Sequence, residues 1–382
     1  MFIIFVQYVE ENIYVAKMYR LRRFISFAIF SIFLLASFDQ AEAQLNRRKI
    51  KKNNRRMSSF KGRKNTFTQE KRYSSIGLTT NAMNYFGDLT PISHRFSTDL
   101  KLTRPAFGLT YGYRFGPYYT IRGQFSYGTL RGSDYESADP IHEVAKFRYV
   151  RNLSFRNRIK ELSVTGMFDL FKNENTYISR VDFTPYAFGG VAIFHHNPKA
   201  LAPATDQSGA ALAEAGQWVD LQPLGTEGQF STLSDSAVNF GIKPYNKFQI
   251  SIPLGIGVRY RISDTFDFSM ETGFRVLFTD YIDDVGANYV DLNVLGGPLA
   301  RAMADRSQET IDAESGEARN MEAVASVAGV PFPSPGGYNT FAGYGRESPT
   351  NMRGSKNADI YFVTTIRFSY IIGASFKKAK FR

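Results

Sequence analysis

The sequence of 382 residues predicts an all-β protein, an eight-stranded antiparallel transmembrane β-barrel with long extracellular loops and short periplasmic turns. Three observations lead to this fold class. Eight segments alternate apolar and polar residues with a period of two. Each segment is about as long as the ~9–11 residues that a tilted strand needs to cross a bilayer. The connections between the segments are alternately long and short, as in bacterial outer-membrane barrels.

The predicted strands cover residues 75–86, 106–115, 119–128, 159–171, 181–194, 249–262, 266–278 and 360–372. In the clearest strand, every second residue from Ile250 to Ile262 is apolar, and none of the residues between them is a large apolar one. Such a strand has one apolar and one polar face. The connections cover residues 87–105, 116–118, 129–158, 172–180, 195–248, 263–265 and 280–358. An even number of strands leaves both termini on the side of the short turns, which we predict to be the periplasm.

The polar face of the strands distinguishes a membrane barrel from a soluble, lipocalin-like barrel, whose exposed face should be rich in Lys and Glu. Here the polar face consists mostly of Gly, Ser, Thr and Gln, which suits a narrow lumen that side chains nearly fill. The charged residues on this face include Asp169 and Arg261. We predict a lumen ion network formed by Arg114, Arg122, Glu161, Arg259, Asp267, Glu271, Arg275 and Arg367. A filled lumen argues against a conducting pore.

The N-terminus has the features of a secretory signal peptide. A short basic stretch precedes an apolar run at residues 24–38, and a small-residue cleavage motif follows that ends at Ala43. The sequence predicts a signal peptide over residues 1–43, cleaved before Gln44, with Met18 as the natural start. A membrane anchor is the alternative, but the run is short and ends in a processing motif.

The net charge of +12 comes almost entirely from one segment. Residues 44–72 contain twelve Lys and Arg residues and a single Glu, a composition that predicts a disordered periplasmic arm. Its first cations are Arg47, Arg48, Lys49, Lys51, Lys52, Arg55 and Arg56. An exported protein does not ordinarily meet nucleic acid, so we expect contacts with anionic lipid headgroups, the cell wall or an acidic partner. A merely solvated leader is the alternative. The barrel then covers residues 73–373, and a basic periplasmic tail covers residues 374–382.

Residues that could bind a metal ion are few. The sequence contains no cysteine, which excludes disulfides and thiolate metal sites. His195 and His196 are adjacent on a strand and should point to opposite faces, so they cannot easily chelate one ion. Asp280, Asp283 and Asp284 could bind Ca²⁺ through oxygen atoms, but they lack the glycine spacing of a calcium loop. Hydrogen bonds that close the loop explain these aspartates equally well.

The sequence contains no convincing catalytic pair. Small barrels can act on lipids through a Ser and a His at the outer rim. Ser93 and His94 are contiguous, which is poor geometry for a nucleophile and its base. We therefore predict that the protein is not an enzyme and has no cofactor.

Five segments of the sequence resemble the PorG-like family: 84–89, 158–171, 194–198, 218–229 and 279–285. The residues of the two last segments that are most similar to the family are Trp218, Asp280, Tyr281, Asp283 and Asp284. The resemblance covers about residues 75–295 and 359–373. PorG-like proteins are outer-membrane barrels of Bacteroidota that are tied to the type IX secretion and gliding machinery. The Ala-rich segment 201–216 and the long fourth loop depart from the family pattern.

The resemblance implies a non-enzymatic outer-membrane protein with both termini in the periplasm. Its partners would be outer-membrane lipids and the periplasmic ring of the secretion machine, which consists of a PorK-like lipoprotein and its PorN-like partner. The leading hypothesis is therefore a barrel that anchors or organises a secretion complex. The alternatives are a barrel enzyme that modifies lipid A or phospholipid, and a small-solute pore.

Overall fold

The computed structural model describes residues 67, 71–89, 101–143, 145–329, 332–333, 338–340, 352–355 and 358–372. Several predicted features lie outside the described residues. These are the signal peptide with its cleavage site between Ala43 and Gln44, the arm cations from Arg47 to Arg56, and the basic tail.

Eight long antiparallel strands close into a barrel, and four short strands are added at one of its ends. The long strands are β1 (Tyr73–Phe86), β2 (Arg104–Arg114), β3 (Tyr119–Ser133), β4 (Ser154–Asp169), β5 (Phe183–His195), β8 (Phe248–Arg261), β9 (Phe266–Leu277) and β12 (Ile360–Ile372). The short strands are β6 (Pro198–Leu201), β7 (Trp218–Asp220), β10 (Phe332–Pro333) and β11 (Asn339–Thr340). Each long strand pairs with the next, and β12 pairs with β1 over the register Ser74↔Ile372 to Phe86↔Ile360. This closure confirms the predicted eight-stranded antiparallel barrel.

Two strands are longer than predicted. β3 continues past residue 128 to Ser133, and β4 begins at Ser154 and not at residue 159. These extensions pair with each other, and Leu130 and Phe155 on them are fully buried. The outward residues of the extensions, among them Arg156 and Arg158, are polar, so the alternation of apolar and polar residues did not predict these parts of the strands.

The apolar faces of the strands point outward and the polar faces point into the lumen. Leu162, Val191 and Ile256 are 61%, 62% and 64% exposed, whereas Gln124 and Ser163 are buried. This arrangement is the inverse of a soluble barrel, because a large apolar surface faces outward. The exterior is therefore suited to lipid, and the predicted orientation of the two faces is confirmed.

Two glycines on neighbouring strands leave room for one large side chain in the lumen. Gly255 and Gly273 face each other across β8 and β9. A Cβ atom added to Gly255 would lie 2.6 Å from the Phe188 ring, which is closer than any real contact of this type. The two glycines therefore let Phe188 fill the lumen, where Arg122 lies 5.1 Å from its ring centre.

The connections divide the barrel into two different ends. The strands at one end are joined by short segments at residues 115–118, 170–182 and 262–265, and we call it the turn end. β1 begins at the turn end, and β12 ends there. The strands at the other end, the loop end, are joined by residues 87–103, 134–153, 196–247 and 278–359.

The described parts of the long loops close the barrel mouth with an apolar core. Leu89, Ile282 and Val285 from the loops pack with Phe155 and Phe194 from the barrel wall, and all five are almost fully buried. The fourth loop thus inserts Ile282 into the mouth. The barrel is therefore covered from the loop end by its own chain.

The helices are short and belong to the loop end. They are α1 (Asp134–Ser137), α2 (Lys146–Arg151), α3 (Pro298–Ala304) and α4 (Met321–Ala328). Val324 of α4 packs against Tyr149 and Val150 of α2, which joins the second and fourth loops. No helix among the described residues has the length and apolar character needed to cross a membrane.

Candidate functional site: the filled lumen and the loop-end cap

The lumen contains a group of ion pairs near the turn end. Two arginines from different strands, Arg114 and Arg259, each donate to Asp169 Oδ2 at 2.6 Å. On the other side of the lumen, Arg180 donates to Asp267 Oδ1 at 2.6 Å. Arg180 also donates to three backbone carbonyls of the turns, among them that of Ser263 at 2.8 Å, and to the carbonyl of the first residue of β9. This one guanidinium therefore ties the 170–182 and 262–265 turns together.

A second group lies in the middle of the lumen around Glu271. Arg122 and Arg367 both form ion pairs with Glu271 Oε1, the first at 2.5 Å. Tyr186 donates its hydroxyl to the same oxygen at 2.6 Å. The members come from four strands, β3, β5, β9 and β12, so this carboxylate connects distant parts of the wall.

A third group lies between the middle of the lumen and the apolar mouth. Arg275 donates to Glu161 at 3.1 Å, and Tyr361 donates to the same carboxylate at 2.5 Å. A cavity of about 30 Å³ lies near the turn end, and one of about 10 Å³ lies beside Glu161. Such volumes hold a few water molecules at most. The described lumen is therefore filled.

The structure brings all eight predicted lumen residues into ion pairs with lumen carboxylates or arginines, in the three groups described above. Sequence reasoning placed Asp169 on the polar face but did not assign it as the shared acceptor of the turn-end group. It missed Arg180 because this residue lies in a turn. It also missed Tyr186 and Tyr361, because they lie on strands with many aromatic residues. The period of two places both tyrosines on the inward face of their strands, and this position could have identified them.

The segment 279–285 at the loop end is held by hydrogen bonds from three other parts of the chain. Ile282 N–H donates to Asp359 Oδ2 at 3.0 Å. Asp284, at a positive φ of 69°, accepts from the hydroxyls of Thr226 and Tyr245, both at 2.6 Å. Hydrogen bonds that close the loop, one of the two readings offered by the sequence, therefore describe Asp283 and Asp284.

The Tyr85 hydroxyl lies between two buried carboxyl groups, those of Asp283 and Asp359. The Tyr85 hydroxyl lies 2.6 Å from Asp283 Oδ2 and 2.9 Å from Asp359 Oδ1. A hydroxyl has a single proton to donate, so the two carboxyl groups share this one proton, while the hydroxyl oxygen accepts from the Asp88 N–H at 3.0 Å. Burial is the first cause that raises the pKa of both Asp283 and Asp359 well above the ordinary value, and neighbouring carboxylates, including Asp88, add to it.

A buried ion pair joins the third and fourth loops. Glu227 accepts from the backbone N–H groups of Gly286 and Ala287 at 3.1 Å, and Arg353 donates to the same carboxylate at 3.1 Å. Arg353 also donates to the Asp284 carbonyl at 2.6 Å. Burial raises the pKa of Glu227, and Arg353 opposes this shift.

A second buried arginine joins the first, second and fourth loops. Arg151 forms two hydrogen bonds with the Asp134 carboxylate, at 2.7 and 2.8 Å. It also donates to the carbonyls of Asp88 and Arg353. The long loops are thus cross-linked to each other by charge-assisted hydrogen bonds, which are about twice as strong as neutral ones.

The two adjacent histidines have different environments. His196 is fully buried and stacks on Tyr245. Its Nε2 atom lies 3.1 Å from the Asn246 carbonyl oxygen. Burial lowers the pKa of His196 to about 4, so it is neutral at ordinary pH. His195 instead packs edge-on against Phe248 on the outer side. The two rings therefore do not converge on one ion.

Trp218 and Tyr281 of the family-like motifs each stack on another side chain. Arg156 stacks on Trp218 with its guanidinium 3.7 Å from the ring centre, and Tyr281 stacks on Tyr245 at 4.8 Å. Trp218 lies on β7, which pairs with β6, and β6 pairs with the extended end of β4. Within the part of the chain that the structure describes, no group of three or more His, Asp or Glu side chains is placed to hold a metal ion.

Part of the chain matches a known family model. The model of a domain of unknown function (DUF6089) matches residues 64–213, which is less than half of the chain. No curated protein matches the sequence at a significant level.

Among solved structures, the chain is similar to several outer-membrane barrels. OprG from Pseudomonas aeruginosa is 9% identical, with a TM-score of 0.32 and coverage of 81% of this chain and 100% of OprG. Ail, the attachment invasion locus protein of Yersinia pestis, is 7% identical, with a TM-score of 0.29 and coverage of 79% and 97%. Neisserial surface protein A is 7% identical, with a TM-score of 0.29 and coverage of 78% and 96%. Scores this low say nothing about function, and the barrel is established by its own strand register.

The middle lumen group gives a stability prediction. We expect Glu271→Gln to lower the free energy of unfolding by about 3–5 kcal/mol, because it leaves Arg122 and Arg367 buried without their counter-charge. The measurement is denaturant unfolding of the refolded barrel in detergent. The matched control is Glu174→Gln in the exposed Lys172–Glu174 pair, which should have no measurable effect. Equal effects of the two substitutions would contradict the structural role of the lumen pairs.

The shared proton at Tyr85 gives a pH prediction. The folded-state pKa values of Asp283 and Asp359 lie above the unfolded ones, so their contribution to stability is complete below the ordinary pKa of about 4. It is lost as the pH rises through the folded-state values. Amide hydrogen exchange of residues 282–285, corrected for the intrinsic rate, should therefore accelerate with increasing pH. Asp283→Asn should weaken this dependence, and a pH-independent exchange in the wild type would contradict the raised pKa values of the two carboxyl groups.

Proposed function

We propose that the protein is a non-enzymatic outer-membrane anchor that holds or organises a secretion complex of the type IX kind through periplasmic contacts. The observation that carries this proposal is the filled lumen. Three groups of paired charges occupy it, and an apolar core closes its loop end. Passage of solute would require several buried charge pairs to separate, which costs several kcal/mol for each pair.

The exterior supports the membrane part of the proposal. Exposure of the belt of Leu, Ile, Val and Phe side chains to water would be unfavourable, whereas contact with lipid is not. A closed barrel also leaves no unpaired strand edge in the hydrocarbon. In bacteria, single-chain barrels of this kind occupy the outer membrane. The turn end then faces the periplasm and the loop end faces outward.

The ends of the barrel support the part of the proposal that concerns periplasmic contacts. β1 begins at Tyr73 and β12 ends at Ile372, side by side at the turn end. The basic arm and the basic tail are therefore attached at the same place on the barrel. Segments rich in Lys and Arg are suited to an acidic protein partner or to anionic lipid headgroups.

The identity of the partners rests on the resemblance of the loop motifs to PorG-like proteins. We propose that the arm contacts the periplasmic ring made of a PorK-like lipoprotein and its PorN-like partner. The loop segment 279–285 and Trp218, which carry much of the resemblance, have structural roles in the cap. In this proposal, they maintain the barrel and are not themselves the docking surface.

The closed lumen can be tested by electrical recording. We expect the wild-type protein, inserted in a planar bilayer, to show no stepwise conductance, because the charge groups and the apolar mouth block the passage. A porin inserted in the same bilayer is the positive control. A stable single-channel conductance of the wild type would support the pore alternative instead.

The role of the arm can be tested by crosslinking in the native membrane followed by co-purification. Deletion of residues 46–72 should abolish recovery of the ring proteins. A variant that keeps the length of the arm but replaces Arg47, Arg48, Lys49, Lys51, Lys52, Arg55 and Arg56 by Ser should do the same, since the contact is electrostatic. Unchanged gel mobility of the unheated barrel is the control for folding. Undiminished recovery from both variants would remove the arm from the mechanism.

A further inference from the structure

The outer face of β4 changes from apolar to cationic at the loop end. Leu162 faces outward with the apolar belt, and the next outward residues are Lys160, Arg158 and Arg156. Lys160 and Arg158 are exposed, and Arg156 is partly covered. Residues two apart on a strand are separated by about 7 Å, so the three cations form a stripe that continues the lipid-facing column. We call these three residues the β4 stripe.

The neighbouring strands place amphipathic rings beside the start of this stripe. Lys160 is in register with Tyr127 of β3 and His195 of β5, and His195 packs against Phe248 of β8. Rings that combine an apolar body with a polar atom are typical of the membrane–water interface.

One step closer to the turn end, the outward residues in register are entirely apolar. Leu162 lies beside Phe125 and Ile193, and all three are about half exposed or more. The boundary between hydrocarbon and headgroups should therefore pass between this row and the row of Lys160. The β4 stripe then lies at the depth of the headgroups.

Arg158 and Lys160 of the stripe differ from another outward arginine of the barrel in having no carboxylate partner within the described part of the chain. Among the described residues, no carboxylate lies within 4.0 Å of a cationic nitrogen of Arg158 or Lys160, whereas Arg131 of β3 pairs with both Glu136 and Glu314. The carboxylate of β4 nearest in sequence, Glu161, points into the lumen and binds Arg275. Arg158 and Lys160 thus lack a carboxylate partner among the described residues.

The stripe is confined to one side of the barrel. At the loop end of β1, β9 and β12, the outward residues include Ala82, Asn84, Val276 and Phe362, and none of the outward residues there is charged. A general attraction to an anionic membrane would not require this asymmetry. A specific contact on the wall formed by β3, β4 and β5 accounts for it.

The side chain of Arg156 is already held in place for such a contact. Its guanidinium carbon lies over the Trp218 ring, 3.7 Å from the ring centre. Stacking uses the face of the guanidinium and leaves the N–H groups at its edge, which can bind two oxygens of a phosphate at once. The ordering of this side chain lowers the entropy that binding would cost.

We infer that the β4 stripe binds the phosphate of an anionic membrane lipid, whose acyl chains lie along Phe125, Leu162 and Ile193. Lipid is the source of the phosphate because the cations continue the lipid-facing column of the same strand without a break. This inference rests on the membrane placement proposed above and is independent of the secretion role.

The test measures lipid binding to the full-length mature protein by native mass spectrometry from an uncharged detergent. The probe is phosphatidylglycerol, and phosphatidylcholine with the same acyl chains is the comparison. We expect the double variant R158Q/K160Q to bind phosphatidylglycerol about thirtyfold more weakly than the wild type, since each basic residue near an anionic headgroup contributes about a fivefold factor. The single variant K160Q should lose about fivefold.

The matched control is K172Q/K243Q, which removes two exposed lysines outside the stripe. Its phosphatidylglycerol binding should equal that of the wild type. Equal losses in both double variants, or equal binding of the two lipids by the wild type, would overturn the inference. Inorganic phosphate that displaces the lipid at similar concentration would also overturn it, in favour of a soluble anion site. No ring protein is present in the measurement, and the basic arm is identical in the wild type and in all variants, so failure of the secretion role would leave the result unchanged.

Discussion

The pairing of arginine with carboxylate inside the lumen is the interaction on which the rest of the structure depends. Eight strands enclose a space that only side chains can fill, and the apolar faces must point to lipid, so the polar faces are forced inward. Buried charge is tolerated only when it is paired and its hydrogen bonds are satisfied. Asp169 and Glu271 each form ion pairs with two arginines, and Glu271 also accepts a hydrogen bond from the Tyr186 hydroxyl. These groups connect strands that do not pair with each other, and they help to fix the register of the barrel.

The loop end obeys the same constraint with different partners. Arg151 and Arg353 bind carboxylates and backbone carbonyls of several loops, so that residues far apart in the chain form one buried layer. Ile282 fills the mouth below this layer, and the Tyr85 hydroxyl and its shared proton hold the segment there. The described parts of the loops therefore belong to the folded barrel, and their charges are occupied in maintaining it.

The outer surface differs from the interior in how its charges are used. Inside the lumen and the cap, the arginines have carboxylate or carbonyl partners from the same chain. On the outer face of β4, Arg158 and Lys160 have no carboxylate partner among the described residues and point to the side where lipid lies. Paired charge in this protein maintains the structure, and unpaired charge marks a surface that is available to an external anion. The same reasoning applies to the basic arm, whose charge the sequence alone reveals.

The sequence by itself determined the number of strands, the orientation of their faces and which charged strand residues point into the lumen, because the period of two is local and an eight-stranded barrel forces polar residues inward. Only the tertiary structure decided that Asp169 is a shared acceptor, that Arg180 joins two turns and that Ile282 enters the mouth. It also decided how far β3 and β4 extend beyond the apolar belt. The physical reason is that these contacts join residues separated by long stretches of chain. Strand periodicity carries no information about which distant partners will meet, and closure of the barrel together with folding of the loops sets those distances.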